Sequence, residues 1–396
     1  MFLRTKDKYL PCIVFAAFLL RAVFALMYKH DLYPDEYSWN ALSAALLSGE
    51  GFLNNTRPPG YIAMAAAVYK IFGAGNFTAL RLTQALLGAL QVAFVYFLTL
   101  KIFKKTLSAR IAAGLAALYP YLIFFSARIL SETLYSFLMT SAAFYIYSMA
   151  DKNDSLAHSI AAGVLVSLAA LTKATILAVS PFLIVWFALN RIAPKKILFF
   201  FSAALLCVSP WILRNYHKYG GFVSVTPSGS YFFQAYNSET MRLETETRQL
   251  KEVRWYTDEY QEIAELPVLE ADREYRRRAL SFIRNNPLSS VKLMAMRFSH
   301  FWRLYPITNN VFQKSVAFAT SGPVILFGLA GMILSISLWK KTLLLIGLIF
   351  TFNAVHTVFL CTLRYRIPIE PFFMIFAAFA VEKFIMSLKQ RRLRKS

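Results

Sequence analysis

Ten long apolar runs divide the chain, and they limit the folds that it can adopt. A helix needs about 20 apolar residues to cross a bilayer, and fewer where other helices shield it. The runs therefore predict an all-α polytopic membrane protein with about ten transmembrane helices. The expected crossings are residues 10–28, 78–100, 111–127, 130–149, 158–172, 174–190, 197–213, 316–338, 342–361 and 367–387.

The composition excludes an ordinary soluble protein. Hydrophobic residues make up 57% of the chain and charged residues only 16%, whereas a soluble domain has about 25% charged residues. The net charge of +22 does not indicate a nucleic-acid partner, because most of the basic residues lie in short clusters between the apolar runs. Cytoplasmic connections of membrane proteins show this pattern, and anionic lipids also attract it. We therefore expect membrane lipids as partners and no nucleic acid.

The basic clusters predict the topology. They lie near both ends of the chain and at residues 104–110, 191–196 and 340–341, all on one side of the predicted bundle. We therefore expect a multi-pass protein of the plasma or inner membrane with both termini in the cytoplasm. Residues 1–213 then form a transmembrane core whose first outer loop, 29–77, contains an amphipathic helix. The stretch 61–72 is too short to cross and is predicted to be interfacial or re-entrant. Residues 214–315 form a small outer helical segment, and 316–396 form C-terminal transmembrane helices with a basic tail.

Three carboxylates beside predicted crossings are the candidate catalytic groups, because an ionisable group at membrane depth is costly and usually functional. Asp35 and Glu36 follow the first crossing, and Glu132 begins the fourth. Adjacent carboxylates project in different directions, so at most one of the first two should face a given substrate atom. Structural interpretations stay open: Pro34-Asp35-Glu36 also resembles a helix start, and Glu132 stands at ion-pair spacing from Arg128.

A second set of side chains on the predicted outer side suits an anionic lipid headgroup. The positive-inside rule accounts for basic residues on the cytoplasmic side but not for cations on the outer side. A bound lipid phosphate explains these outer cations as a group. Each one alone also fits a headgroup anchor, and Arg57 with Tyr61 encloses an ordinary Pro-Pro-Gly turn. The candidate substrate-binding residues are Arg57, Tyr61, Arg128, Lys173, Arg214, Arg364 and Arg366.

Other chemistries lack their motifs. The sequence has no GxxxxGK[ST], HExxH, paired CxxC or GxSxG pattern, and its five histidines show no metal-ligand spacing. Cys12, Cys207 and Cys361 lie within or at the ends of apolar runs, which argues against a disulfide framework. The sequence indicates no cofactor, and a divalent metal stays open.

Several segments together resemble the GT-C integral-membrane glycosyltransferases, which use lipid-phosphate sugars. The similarity is greatest to the bacterial branch that resembles protein O-mannosyltransferases and the lipid A aminoarabinose transferase, a group similar to glycosyltransferase family 39. It extends over roughly residues 8–190 and is clearest in these segments: PDEYSWNALSAALLSGEGFLNNTRPPGY, FGAGNFTALRLTQALLGAL, LYPYLIFFSARILSETLY and LAALTKATIL. RYRIPIEPF, before the last predicted helix, also resembles these proteins.

The resemblance implies roles for individual residues. Asp35 matches the catalytic acid of the family's first outer loop, and Glu36 matches a residue that contributes to acceptor binding. Arg57 matches a lipid-phosphate contact and Lys173 a commonly basic turn. Glu132 matches a second acidic position, at which relatives often have Asp. No counterpart of the family's larger C-terminal outer domain is recognised, so the resemblance does not imply an acceptor.

The leading hypothesis is an inverting glycosyltransferase of the cell envelope. It would move a sugar from a polyprenyl-phosphate donor to an acceptor on the outer face, with Asp35 as general base. A lipid or polysaccharide transporter is the first alternative, but transporters usually show internal repeats and broken helices near the midplane. A surface-glycan polymerase or ligase is the second. Such an enzyme should have an outer loop rich in Arg and His, and residues 214–315 contain few His.

Overall fold

The protein is all-α. The computed structural model describes residues 7–28, 31–53, 57–151, 155–247 and 257–393, and every regular element within these ranges is a helix. The first ten α-helices are α1 Tyr9–Met27, α2 Pro34–Leu47, α3 Pro59–Phe72, α4 Phe77–Phe103, α5 Thr106–Leu118, α6 Pro120–Ser126, α7 Glu132–Met149, α8 Leu156–Thr172, α9 Ser180–Leu189 and α10 Pro194–Tyr219. The others are α11 Gly229–Ala235, α12 Ser238–Thr247, α13 Asp258–Ala264, α14 Val268–Asn285, α15 Pro287–Phe301, α16 Val311–Leu334, α17 Trp339–Val358 and α18 Glu370–Leu393. Short 3₁₀ helices occupy Ala174–Val179, Ile336–Leu338, Leu363–Tyr365 and Ile367–Ile369.

The helices confirm a polytopic membrane protein without confirming the predicted count of ten crossings. Among the described residues, six helical stretches are long and apolar enough to span a bilayer, or seven if the bent pair α5–α6 counts as one span. They are Tyr9–Met27, Phe77–Phe103, Pro194–Tyr219, Val311–Leu334, Ile336–Val358 and Leu363–Arg391. Three predicted crossings fall short: α8 and the stretch Ala174–Leu189 are short, and α7 contains many Ser, Thr and Tyr residues.

The core lies where α4, α5, α7 and α18 pack together. Residues 372–376 of α18 are buried on all sides, as expected of a helix that other helices surround. Gly331 of α16 allows a close approach to α18, because a Cβ there would stand 2.0 Å from the Phe376 carbonyl oxygen. Small residues at helix contacts are typical of membrane bundles.

The bend between α5 and α6 is stabilised by a buried arginine. Pro120 begins α6 and cannot donate a backbone hydrogen bond, so the last carbonyls of α5 lose their helical partners. Arg21 of α1 donates to the Ala116 oxygen at 2.8 Å and to the Ala117 oxygen at 3.0 Å. The two parts of the pair meet at 51°. This bend leads the chain into the connection that precedes α7.

The predicted outer segment 214–315 is helical, as expected, within its described residues. It has two small apolar cores of its own. In one, Tyr236, Ala279 and Leu293 pack with Leu360, which lies beyond the end of α17. The segment therefore rests on the connection between α17 and α18. The first loop (described residues 31–53 and 57–77), the start of α7 and this connection meet at one end of the bundle. We call this end the site end.

Candidate active site

The first loop forms two helices, α2 and α3, and the acidic pair opens α2. Pro34 is its first residue, which suits a helix start because the missing N–H would have no partner there. The Glu36 carboxylate accepts the backbone N–H of Tyr33 at 3.1 Å, so Glu36 caps the helix. Asp35 lies in the same turn, but its side chain points elsewhere.

Asp35 is held by two arginines from distant parts of the chain. Its Oδ1 accepts from Arg57 Nη2 at 2.8 Å, and its Oδ2 accepts from Arg364 Nη1 at 2.6 Å. The side chain of Asp35 remains 34% exposed. Burial acts to raise the pKa of its carboxyl, but the charges of Arg364 and Arg57 outweigh this and hold the pKa well below its usual range.

Glu132 shares one of these arginines. Its Oε1 accepts from Lys173 Nζ at 2.7 Å and from Arg364 Nε, so one guanidinium joins Glu132 to Asp35. Glu132 is fully buried, and no hydrogen-bond partner is found for its Oε2. The sequence spacing allowed an ion pair between Glu132 and Arg128. In the structure, Glu132 instead lies beside Asp35, because both accept hydrogen bonds from Arg364. We call Asp35, Arg57, Glu132, Lys173 and Arg364 the charged cluster.

Glu36 and Arg128 form a separate buried pair. Glu36 Oε2 accepts from Arg128 Nη2 at 2.7 Å, and its Oε1 accepts the backbone N–H of Ile129 at 2.8 Å. The Glu36 side chain is fully buried. Burial acts to raise the pKa of this carboxyl, yet these hydrogen bonds and that of Tyr33 lower it. The pair joins the start of α2 to the connection between α6 and α7, and it does not face the charged cluster.

The RPPGY turn packs against the end of α8. Gly60, near the start of α3, packs against the end of α8, and a Cβ on it would stand 2.6 Å from Thr172 Oγ1 and 2.9 Å from the Leu171 oxygen. Lys173 follows immediately on α8. A glycine at position 60 therefore allows α3, whose approach carries Arg57, to pack against the residues that precede Lys173.

Tyr61 lies beneath this turn. It is fully buried, and its hydroxyl donates to Gln84 Oε1 at 3.1 Å. Gln84 donates in turn to the backbone oxygen of Arg128 at 2.7 Å and to that of Ser126 at 3.2 Å. Tyr61 was predicted to bind substrate, whereas its contacts connect the first loop to the start of α7.

Arg366 also lies away from the charged cluster. It is fully buried, pairs with Glu370 at 2.8 Å, and donates to the backbone oxygens of Phe301 at 2.6 Å and Arg303 at 2.8 Å. These bonds attach the end of α15 to the start of α18. Arg366 was predicted with the phosphate-binding set, but its position makes it a support for Arg364.

Arg214 contacts the first loop rather than the acids. It donates to the Phe52 oxygen at 2.7 Å and to the Tyr219 hydroxyl at 3.2 Å, and its guanidinium lies 4.5 Å from the centre of the Trp211 ring. Arg214 thus fixes the end of the loop between α2 and α3. Like Tyr61 and Arg366, it is placed outside the cluster to which the sequence prediction assigned it.

Aromatic side chains around the cations were not predicted. Arg57 stacks over Trp39 at 4.5 Å, and Lys173 lies 5.8 Å from the Tyr135 ring and 5.7 Å from the Tyr365 ring. Tyr365 stacks in turn on His356 at 4.6 Å. The sequence offered one signal for this: in RYR, Tyr365 stands between two candidate cations.

The charged cluster has the electrostatics of an anion site. Three cations surround two carboxylates, which leaves an excess positive charge beside a partly exposed acid. Such a site can hold a phosphate and present a carboxylate to a hydroxyl next to it. Among the described residues, no three His, Cys, Asp or Glu side chains are grouped so that they could hold a metal ion.

Known proteins share this architecture. Residues 56–213, less than half of the chain, match the sequence model of the dolichyl-phosphate-mannose-protein mannosyltransferase family. No curated protein matches the chain. The oligosaccharyltransferase AglB from Archaeoglobus fulgidus, solved in complex with an inhibitory peptide and a dolichol-phosphate, is 14% identical with a TM-score of 0.61 over 98% of this chain and 52% of that chain. Its apo form gives 15% identity and the same TM-score and coverages.

ArnT from Cupriavidus metallidurans, bound to undecaprenyl phosphate, is 15% identical with a TM-score of 0.43 over 95% of this chain and 77% of that chain. The family match and the archaeal fold confirm the predicted resemblance: the chain has the fold of the GT-C membrane glycosyltransferases. It spans about half the length of the archaeal oligosaccharyltransferase.

Proposed function

We propose that the protein transfers a sugar from a polyprenyl-phosphate donor to an acceptor hydroxyl, with Asp35 as general base. One observation carries the proposal: a partly exposed carboxylate at the site end is held by two arginines within an excess of positive charge. The match to a family named for a dolichyl-phosphate-mannose donor supports the donor class. The acceptor and the sugar are not part of the proposal.

The residues of the charged cluster suit the chemistry of this transfer. The acceptor oxygen forms a bond to the anomeric carbon while the bond from that carbon to the phosphate oxygen breaks. The acceptor proton passes to Asp35, and the electron pair of the broken bond stays on the lipid phosphate. Arg57, Lys173 and Arg364 stabilise the charge that develops on this leaving phosphate. A single direct displacement of this kind inverts the anomeric centre.

The other predicted residues support this arrangement from outside the charged cluster. Glu132 fixes Lys173 and Arg364, since its carboxylate is bonded to both. The Glu36–Arg128 pair holds the start of α2, and with it the Asp35 backbone, against the connection before α7. Tyr61 and Arg214 hold the first loop through the Gln84 side chain and the Phe52 oxygen. Arg366 holds the segment around Arg364 through the Phe301 oxygen.

We also propose the orientation in the membrane. The site end faces the outside of a plasma or inner membrane, and both termini lie in the cytoplasm. Residues 1–213, 214–315 and 316–396 then keep the roles that the sequence predicts for them: a catalytic core, an outer helical segment, and C-terminal helices with a basic tail. The charge distribution supports this orientation, since the positive-inside rule favours basic connections in the cytoplasm.

A transfer assay tests the proposal. Purified protein in lipid is incubated with polyprenyl-phosphate sugars that carry a label in the sugar, and the release of label from the lipid is followed. We expect release with at least one donor, and release about 10²–10⁴-fold slower with the Asp35→Asn protein. If the folded protein binds these donors but never releases label, including in the presence of membrane extracts that supply acceptors, the proposed activity is wrong.

A further inference from the structure

The cations of the charged cluster are already engaged by carboxylates. Arg364 joins Asp35 and Glu132, Arg57 bonds Asp35 at 2.8 Å, and Lys173 bonds Glu132 at 2.7 Å. A donor phosphate that bonds the Nη groups now facing Asp35 has to take over bonds that this carboxylate holds, because both anions seek the same N–H donors.

The two carboxylates differ in how readily they can leave. Glu132 is fully buried at the start of α7, whereas the Asp35 side chain is 34% exposed on a loop helix. Moving a buried carboxylate away from its cations is strongly unfavourable, because the charge is left unpaired in a poor solvent. An exposed carboxylate regains hydration when its ion pairs break. Exchange therefore costs less at Asp35 than at Glu132.

We propose that the donor phosphate and the Asp35 carboxylate compete for Arg364 and Arg57, so that donor binding releases Asp35 for its role as base. This inference rests on the proposed function. Glu132 keeps Arg364 and Lys173 in place during the exchange. In the ligand-free protein Asp35 stands where the phosphate binds, and its ion pairs hold the cations in position for the donor.

The exchange removes a conflict in the chemistry of Asp35. A carboxylate bonded to two guanidinium groups has a pKa far below the range of an effective base, because the cations stabilise its charged form. When phosphate oxygens take over these N–H groups, the cations are neutralised and the proton affinity of Asp35 rises. The base thus becomes strong only when the donor is in place.

Binding of undecaprenyl phosphate without a sugar tests the inference separately from catalysis. The protein is placed in nanodiscs of zwitterionic lipid, and the dissociation constant is measured for the wild type and for Asp35→Asn. Removal of the internal competitor should strengthen binding about tenfold, which corresponds to about 1.4 kcal/mol. Glu50→Gln is the control for net charge, because Glu50 is exposed at the end of α2 and contacts Ser48 rather than the cluster. Its affinity should equal that of the wild type.

A double-mutant cycle with Arg364→Ala shows whether the effect is direct. If Asp35 competes for this arginine, Asp35→Asn should strengthen binding much less in the Arg364→Ala background than in the wild type. Equal strengthening in both backgrounds, or unchanged or weaker binding by Asp35→Asn, would overturn the inference. Those results would leave the proposed transfer activity intact, since the transfer assay measures it independently.

Discussion

At the scale of single residues, the adjacent carboxylates of the PDEY segment divide two tasks that the sequence could not separate. The sequence allowed this turn to be a helix start, a catalytic site or both. In the structure Glu36 caps α2 and is fully buried, whereas Asp35 is partly exposed and faces the arginines. Both interpretations therefore apply, each to a different residue.

Replacing Asp35 by Asn should abolish most turnover. Asn keeps the size of the side chain but cannot accept a proton near neutral pH. A positioned general base contributes about 10²–10⁴-fold, so we expect sugar release to slow by that factor. Since Glu36 rather than Asp35 caps α2, and the Asp35 side chain is partly exposed, the thermal unfolding temperature should change little. A folded Asp35→Asn protein that transfers sugar at nearly the wild-type rate would exclude Asp35 as base.

Replacing Arg57 by Ala should weaken donor use. One charge-assisted hydrogen bond to the phosphate is worth about 1.5–3 kcal/mol, so the donor concentration for half-maximal rate should rise accordingly. Arg57→Lys should recover only part of this, because the ammonium lacks the planar guanidinium that stacks on Trp39. The matched control is Arg242→Ala, which removes an exposed arginine of α12 that pairs with Glu239 and Glu246. Unchanged donor dependence in Arg57→Ala would make Arg57 an anchor of the loop only.

At the scale of elements, the contact between α3 and α8 links the turn that contains Arg57 to the residues before Lys173. Gly60 leaves no room for a side chain against Leu171 and Thr172, the last residues before Lys173. Gly60→Ala should therefore push α3 away from α8 and move Arg57 relative to Lys173. A displacement of about 1 Å can cost about 10²-fold in rate, so we expect a loss of this order in sugar release.

The control for this change is Gly114→Ala. Gly114 also lies in a helix, α5, and a Cβ there meets no atom within 4 Å. Alanine at an open helical position is expected to be neutral or stabilising. If Gly60→Ala and Gly114→Ala are equally active in the transfer assay, the close approach of α3 to α8 does not position the cluster.

The sequence predicted the elements of the site better than their pairing. Asp35, Arg57, Glu132, Lys173 and Arg364 were all named as candidates, and the structure brings them together. The spacing of Arg128 and Glu132 suggested an ion pair, but such spacing joins side chains only within one continuous helix. Arg128 precedes the start of α7 and turns to Glu36 instead.

Burial is what the sequence pattern could not show. Arg214 and Arg366 share their residue type and predicted depth with the arginines of the cluster, and Tyr61 lies in the same turn as Arg57. All three nevertheless bond to other groups of the protein, including backbone oxygens. Their partners, such as Phe301 for Arg366, are distant in sequence. Phe301 and Arg366 meet only because the end of α15 packs against the segment that leads into α18. Hydropathy and charge patterns do not encode that contact.

At the scale of the whole molecule, the charges separate between the two ends of the bundle. Away from the site end, Arg110 bonds Asp7 through two nitrogens at 2.9 Å, and Lys101 bonds Asp151 at 2.6 Å. Lys105 bonds Glu382 at 3.2 Å. Basic residues that the sequence assigned to the cytoplasm thus form ion pairs with carboxylates at the end of the bundle away from the site. The charged cluster of the site lies at the other, and the orientation in the membrane remains a prediction.

Labelling of single cysteines from outside the cell tests the orientation. Cys12, Cys207 and Cys361 are first replaced by Ser or Ala, and a membrane-impermeant thiol reagent is applied to intact cells that express Thr245→Cys or Lys105→Cys. Thr245 is exposed on α12 and Lys105 lies between α4 and α5. We expect labelling at position 245 and none at position 105, because the positive-inside rule places the connection between α4 and α5 in the cytoplasm. Both variants should be labelled after the membrane is permeabilised, which shows that each thiol is reactive. The reverse pattern in intact cells would place the charged cluster on the cytoplasmic side and would require the donor and the acceptor to be supplied there.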